Sequence, residues 1–185
     1  GSHFVWVGPT KQCSDSLAGG IARIDGSGFF AAPGFIDSHL HLAGLAAALS
    51  GHDLSNVFDS DPNTFLQSLK SICKEDMQSD WLRFYSLDYF DALDAGLLNR
   101  RLVDAAIPDR PVMIRFNSGH GVLLNTLALH RLGINESTSE PPGITLERTI
   151  PHGVLSGVIL EGDEILSKNM PAIPDYQLVS GFKLV

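Results

Sequence analysis

Cysteine is scarce in this sequence: Cys13 and Cys73 are the only two among 185 residues. That excludes a disulfide framework and a CxxC metal knuckle, and both read as small buried or half-buried residues. Basic residues are few as well, 13 Lys and Arg against 21 Asp and Glu, for a formal net charge of -8. They are scattered, and Arg100-Arg101, the only adjacent pair, reads as a solvated helix face. A chain this acidic repels phosphate backbones, so general nucleic-acid binding is excluded. No apolar run is long enough to span a bilayer, so no membrane partner is expected. Internal repeats and low-complexity tracts are absent too. Gly1-Ser2-His3 looks like the remnant of a cleaved tag. No secretory signal follows it, which leads us to expect a cytoplasmic protein.

What remains is an ordinary globular composition, 44% hydrophobic and 18% charged, enough for one core. Phe4 to Val7 is short and β-prone. Ile21 to Ile24 and Phe29 to Ala32 flank Asp25-Gly26-Ser27-Gly28, a strong turn signal, and predict a hairpin. Gly34 to Ser38 is a fourth extended segment. Helical signals then take over. Asp61-Pro62 is an N-cap followed by proline at the first helical position, with Phe65, Leu66, Leu69, Ile72 and Cys73 on one face behind it. Trp81 to Leu87 and Val112 to Phe116 predict strands, and Leu97 to Ala106 a helix stopped by Pro108. Leu124, Leu127, Ala128 and Leu132 make a helical stripe that Gly133 closes, with Ile134 as the apolar residue of the C-cap. Ile144 to Leu146 and Val154 to Leu160 read as paired strands, and a helix is expected from about Glu161 to Asn169. Strands alternating with helices predict an α/β fold with a partly parallel sheet.

The chemistry concentrates at His39 and His41. On a strand, residues two apart point to the same face, so both imidazoles reach one ion, and neutral imidazole suits zinc and similar metals. By spacing alone, two partly exposed histidines at a strand end are an equally good reading.

Their context goes further. Pro33-Gly34-Phe35-Ile36-Asp37-Ser38-His39-Leu40-His41 closely resembles the first-strand signature of the amidohydrolase superfamily, and Ala22 to Gly28 resembles the hairpin leading into it. Leu102 to Val112, Ser118-Gly119-His120 with Asn125 and Ala128-Leu129, and Gly157 to Glu161 resemble stretches of its YtcJ-like branch, the amidohydrolase 3 group. These cover nearly the whole chain from Phe4 to about Met170, in the right order. The chain departs from the pattern between Gly143 and Gly157, where the family has a more glycine- and acid-rich turn.

The resemblance implies a (β/α)8 barrel joined to a small β-sandwich, with a metal site at the carboxyl mouth of the barrel. His39 and His41 are then first-strand metal ligands. The family adds a bridging lysine carboxylate or acid, two later histidines and a late aspartate as proton shuttle, and a metal-activated water attacks an amide-type C–N substrate. The cofactor implied is a divalent metal, zinc by expectation, in the full-length parent, and the partner is a small-molecule substrate. His120, Asn125 and Glu161 are candidate pocket residues, although Asn125 reads better as a helix cap and Glu161 as a carboxylate at a helix start. Asp37 is a candidate second shell for a ligand imidazole, or a structural hydrogen-bonding group. None of His52, His120, His130 or His152 falls in the later ligand positions, and a complete barrel needs about 250 residues.

The sequence therefore predicts a fragment: a tag remnant over 1–3, partial sandwich strands over 4–32, the first part of a barrel over 33–170 and a truncated tail over 171–185. Such a fragment is expected to be inactive alone. Two alternatives stay open: a non-catalytic module that self-associates as a homo-oligomer through exposed sheet edges, and a simple metal-binding protein.

Overall fold

The computed structural model describes residues 3, 4, 6–12, 22, 24–55 and 61–184. They fall into two compact units, residues 1–39 and 40–185.

In the first unit the chain forms a 3-10 turn at Thr10–Gln12 and a tight turn at 26–29. The second is closed by the Phe29 N–H on the Gly26 carbonyl at 2.9 Å. Gly28 takes φ +85 there, a conformation that costs glycine nothing. The expected turn is therefore present. The expected strands over 4–7, 29–32 and 34–38 are not: none of their described residues is in a ladder, and Val5, Ile21 and Arg23 lie outside the described residues. A strand exists only where a neighbour takes up its N–H and C=O groups. Here Phe35 and Ile36 stand 100% and 92% exposed.

The second unit is built on a six-stranded mixed sheet in the order β1-β2-β3-β4-β6-β5. Its strands are β1 (His52–Asp53), β2 (Leu82–Leu87), β3 (Val112–Phe116), β4 (Gly121–Leu124), β5 (Thr145–Arg148) and β6 (Leu155–Leu160). β1, β2 and β3 pair in parallel. β4 pairs antiparallel with β3 and with β6, so β6 runs in the direction of β1–β3. β5 closes the edge antiparallel to β6. The helices are α1 (Leu42–Leu49), α2 (Pro62–Glu75), α3 (Tyr89–Asp94), α4 (Arg100–Ala106), α5 (Thr126–Arg131), α6 (Asp163–Asn169) and α7 (Asp175–Phe182).

Residues alternate between the two sheet faces. Ile114 and Phe116 of β3, Leu123 of β4 and Val158 of β6 join one apolar cluster with Phe65 and Leu69 of α2 and Val103 of α4. Met113, Val122, Leu124 and Ile159 join the other, with Ala128 and Leu129 of α5 and Leu166 of α6. Burying a side chain such as Phe65 or Leu69 is worth about 2 kcal/mol. α2 starts as predicted, with the Asp61 carboxylate accepting from the Asn63 and Thr64 N–H groups and Pro62 in the first turn. α5 ends as predicted: Gly133 at φ +71 donates to the His130 carbonyl, and Ile134 donates to that of Leu129.

Three segments differ from expectation. Leu124 lies in β4 rather than on a helix, because the four residues of β4 are all buried and carry no alternation to betray a strand. The stretch over 171–185, expected to be a tail, contains α7, which packs on α1 so closely that a Cβ on Gly181 would sit 2.8 Å from the Ala46 carbonyl carbon. The helix expected from Glu161 begins at Asp163.

A polar network ties the amino ends of the strands. His52 Nε2 and Asp76 Oδ2 lie 2.9 Å apart, and the His52 ring rests on Phe84. The Arg110 guanidinium donates to the Cys73 and Asp76 carbonyls and to the Ser79 carbonyl at 3.3 Å, which caps the end of α2. Burial pushes the Asp76 carboxyl up, but hydrogen bonds from Ser79, His52 and Gln78 outweigh it and bring it from 3.8 down to about 2. The folded state therefore prefers the ionised form. Its contribution, about 2 kcal/mol, is complete above pH 4 and is lost as pH falls through 2. In denaturant titrations across pH, wild type should exceed Asp76→Ala by about that amount at pH 7, with the gap closing between pH 4 and 2. A gap constant down to pH 2 would reject the linkage.

Candidate functional site

β1, β2, β3 and β6 run the same way, so their carboxyl ends lie along one edge of the sheet. In open parallel sheets and in barrels alike, ligands bind at that edge, where loops leave the strands. Here the edge is polar. β1 ends at Asp53, whose carboxylate accepts from the Ser55 N–H and Oγ at 2.8 Å each. Burial opposes its ionisation, and the hydrogen bonds from Ser55 and Ser86 outweigh that and hold it below its ordinary range. β2 ends next to Asp88. Its Oδ1 caps α3, and its Oδ2 accepts from Asn117 Nδ2 at 2.8 Å, just past the end of β3. The Asp91 N–H and then the Asn117 amide lower the Asp88 carboxyl.

His120 and Glu161, both singled out in the sequence, come together here. The turn after β3 brings His120 to the start of β4, and Glu161 follows the last residue of β6. Because Gly121 pairs with Leu160, the two residues are the next positions of the same antiparallel ladder. The Glu161 N–H donates to the His120 carbonyl at 2.8 Å, and His120 Nδ1 lies 2.9 Å from Glu161 Oε1. Both side chains are exposed, 73% and 61%. Arg115 braces the turn, donating to the Gly119 carbonyl at 3.0 Å and to Asp163 Oδ1 at 2.8 Å. The two non-glycine residues with positive φ among the described residues, Ser86 (+68) and Glu161 (+54), both stand at this edge. Such strain collects where function overrides local preference.

Asn125 does not join them. It is 0% exposed, and its amide is fully used: Oδ1 accepts from the Val112 and Ala128 N–H groups, and Nδ2 donates to the Ile107 and Arg110 carbonyls. A side chain with all four hydrogen bonds spent on backbone has none left for a substrate, so Asn125 is a scaffold residue. Its capping role is as expected; its pocket role is corrected.

The histidine pair sits differently from its strand-end picture. Residues 34–41 carry no strand, and Ser38–His39 form a bend beside which Asp37 Oδ1 accepts the His39 backbone N–H at 3.0 Å. His41 precedes α1, with φ -84 and ψ 55, and its carbonyl accepts from Leu45 at 2.9 Å. His39 belongs to the first unit and His41 to the second. Among the described residues, no group of three or more His, Cys, Asp or Glu stands together as a metal site would.

The carboxyl edge was only partly visible in the sequence. Asp53, Ser55, Ser86 and Asn117 had no motif to mark them. The signal available for Asp88 and Asn117 was position alone, directly after an expected strand. A cleft of about 610 Å³ lies at the opposite end, by Trp81 and Arg83 near the start of β2 and Pro171 and Tyr176 beyond α6. No described helix is long and apolar enough to cross a membrane.

The sequence model of the Amidohydrolase family matches residues 23–180. YtcJ of Bacillus subtilis, an amidohydrolase by name, is 29% identical over 147 residues, covering 78% of this chain and 27% of that protein. N-substituted formamide deformylase of Arthrobacter pascens is 27% identical over 161 residues, 87% of this chain and 30% of that protein. The chain thus spans less than a third of the length of these relatives. Among solved structures, a metal-dependent hydrolase of Pyrococcus horikoshii matches with a TM-score of 0.52 at 21% identity, over 82% of this chain and 28% of that one.

Proposed function

The chain belongs to the amidohydrolase family, and from that premise we propose that it supplies the first ligand pair and part of the substrate wall of a metal-dependent hydrolase acting on amide-type C–N bonds of small molecules. The observation that carries the reading is the ordered run Pro33 to His41, with its two histidines, inside the matched region 23–180. The similar proteins named for amide and formamide chemistry support the substrate class. The parallel run β1–β3, continued in direction by β6, supports reading these as successive strands of a (β/α)8 barrel, with β4 and β5 an antiparallel excursion.

The donors present fit a zinc-type ion in kind but not in number. Two neutral imidazoles suit it, whereas a site takes three or four ligands, and the described residues gather no such group. Bound metal, in such enzymes, supplies water activation and carbonyl polarisation. The part of this chain is narrower: His39 and His41 would hold the ion, and the Asp37 carboxylate accepts the His39 backbone N–H beside them.

Isothermal titration of the chain with Zn²⁺ tests the ligand pair. Wild type should bind weakly, and His39→Ala and His41→Ala should each lower affinity about tenfold or more. Unchanged affinity in both variants would refute the assignment. Metal-dependent amide hydrolysis by these 185 residues alone would overturn the division of labour.

A further inference from the structure

The cleft at the amino end of β2, about 610 Å³, falls in the size range of small-ligand pockets, roughly 300–1,000 Å³. Arg83 lines it. Leu82 and Phe84 turn into the apolar cluster with α2, so by strand alternation Arg83 faces the other way. Its guanidinium donates to the Pro171 carbonyl at 2.7 Å, and among the described residues no carboxylate pairs with it. Arg83 is half-buried, and burial alone draws its guanidinium below the ordinary value, with no anion to offset it. Arginine has a fork of N–H donors and stays charged, so most of this group is left open. A cation drawn out of water is compensated by an anion, and a carboxylate matches the fork with two parallel bonds. The same cleft is lined by Glu75, Asp76 and Asp80. Asp76 is taken up by His52 and by the Gln78 and Ser79 N–H groups, Asp80 lies 3.4 Å from Arg131, and Glu75 is exposed. Walls of this sign repel a bare anion such as phosphate and favour a ligand that brings a cation along with its carboxylate. Met77 and Tyr176, exposed on the same cleft, offer it apolar surface.

We propose that this cleft binds a free α-amino acid with an apolar side chain, its carboxylate on the Arg83 guanidinium, its ammonium toward Glu75 and Asp80, and its side chain against Met77 and Tyr176. The site lies at the opposite end of β2 from the carboxyl edge, and the inference does not depend on the hydrolase reading.

Isothermal titration of the 185-residue chain at pH 7 with three probes of one shape tests it. L-phenylalanine carries both charges, 3-phenylpropanoate lacks the ammonium and 2-phenylethylamine lacks the carboxylate. Phenylalanine should bind about tenfold more tightly than either of the others. Arg83→Gln should weaken phenylalanine about tenfold and leave 2-phenylethylamine unchanged. The double variant Glu75→Gln, Asp80→Asn, at two exposed positions, should bring phenylalanine down to the level of 3-phenylpropanoate. ¹H–¹⁵N spectra of the wild type read the place without any substitution: phenylalanine should shift the Arg83 Nε–H and the Trp81 indole N–H. Phenylalanine binding no better than 3-phenylpropanoate, undiminished binding in Arg83→Gln, or shifts confined to other residues would overturn the proposal. So would the absence of phenylalanine binding at millimolar concentration. No metal enters any arm, so failure of zinc binding at His39 and His41 leaves this test intact, and failure here leaves the ligand pair standing.

Discussion

Gly157→Ala should cost roughly 3–5 kcal/mol, a large share of the roughly 5–15 kcal/mol that holds an ordinary domain folded. Gly157 lies within β6, buried between the antiparallel neighbour β4 and the start of α4. Two separate penalties meet there. Its φ of +102 is a conformation that side chains rarely adopt. A Cβ would also press into the Leu124 carbonyl oxygen and stand 2.8 Å from the Arg100 Cβ and 3.2 Å from Leu123 Cδ1. Two of those neighbours are backbone or the root of a side chain, so they cannot swing aside; the ladder itself would have to shift. Gly96 separates the terms. It has a similar positive φ, +69, but an added methyl would meet nothing within 4 Å, so Gly96→Ala should cost only about 1 kcal/mol. Denaturant midpoints of the two variants, compared with wild type, give the steric share by difference. Equal losses at the two positions would show that backbone strain alone governs Gly157.

The parts of this fold that were legible in the sequence are those written locally. Asp61-Pro62 announces the start of α2, Gly133-Ile134 announces the end of α5, and the β-branched and apolar runs of β3 and β6 announce buried strands. What was illegible depends on distant partners. β4 is four buried apolar residues, which in isolation fit a helix stripe as well as a strand; its identity comes from lying between β3 and β6. α7 owes its place to the absence of a side chain on Gly181 against Ala46, a fact about another helix. At the site, His120 and Glu161 could each be flagged from motif context, but their pairing across 41 positions is set by the β4–β6 register. The His39 and His41 spacing was read on a strand that the described residues do not form, because a strand requires a partner that spacing cannot supply.

Asn125→Ala should be the most damaging polar substitution, at about 4 kcal/mol. The loss has a definite composition. The cap of α5 goes with the bond to the Ala128 N–H, worth about 1 kcal/mol. The Val112 N–H, at the first residue of β3, loses its acceptor, and the Ile107 and Arg110 carbonyls lose their donors. Each buried backbone group left without a partner costs about 1–3 kcal/mol, less where water enters the space vacated. The Arg110 backbone matters beyond its own bond, since the guanidinium of the same residue caps α2. Loosening the 107–111 turn therefore reaches the Asp76 network. Asn125→Asp separates the acceptor half from the donor half. It keeps the oxygen that serves Val112 and Ala128 but turns a second oxygen toward two carbonyls in a fully buried place. Burial and that repulsion both raise its carboxyl in the folded state, so the penalty should grow as pH rises above about 4 and shrink toward the protonated side, where one donor returns. Unfolding curves at pH 4 and pH 7 decide the matter. An aspartate variant equally stable at both would mean that the donors to Ile107 and Arg110 are dispensable, and that Asn125 is no more than a cap.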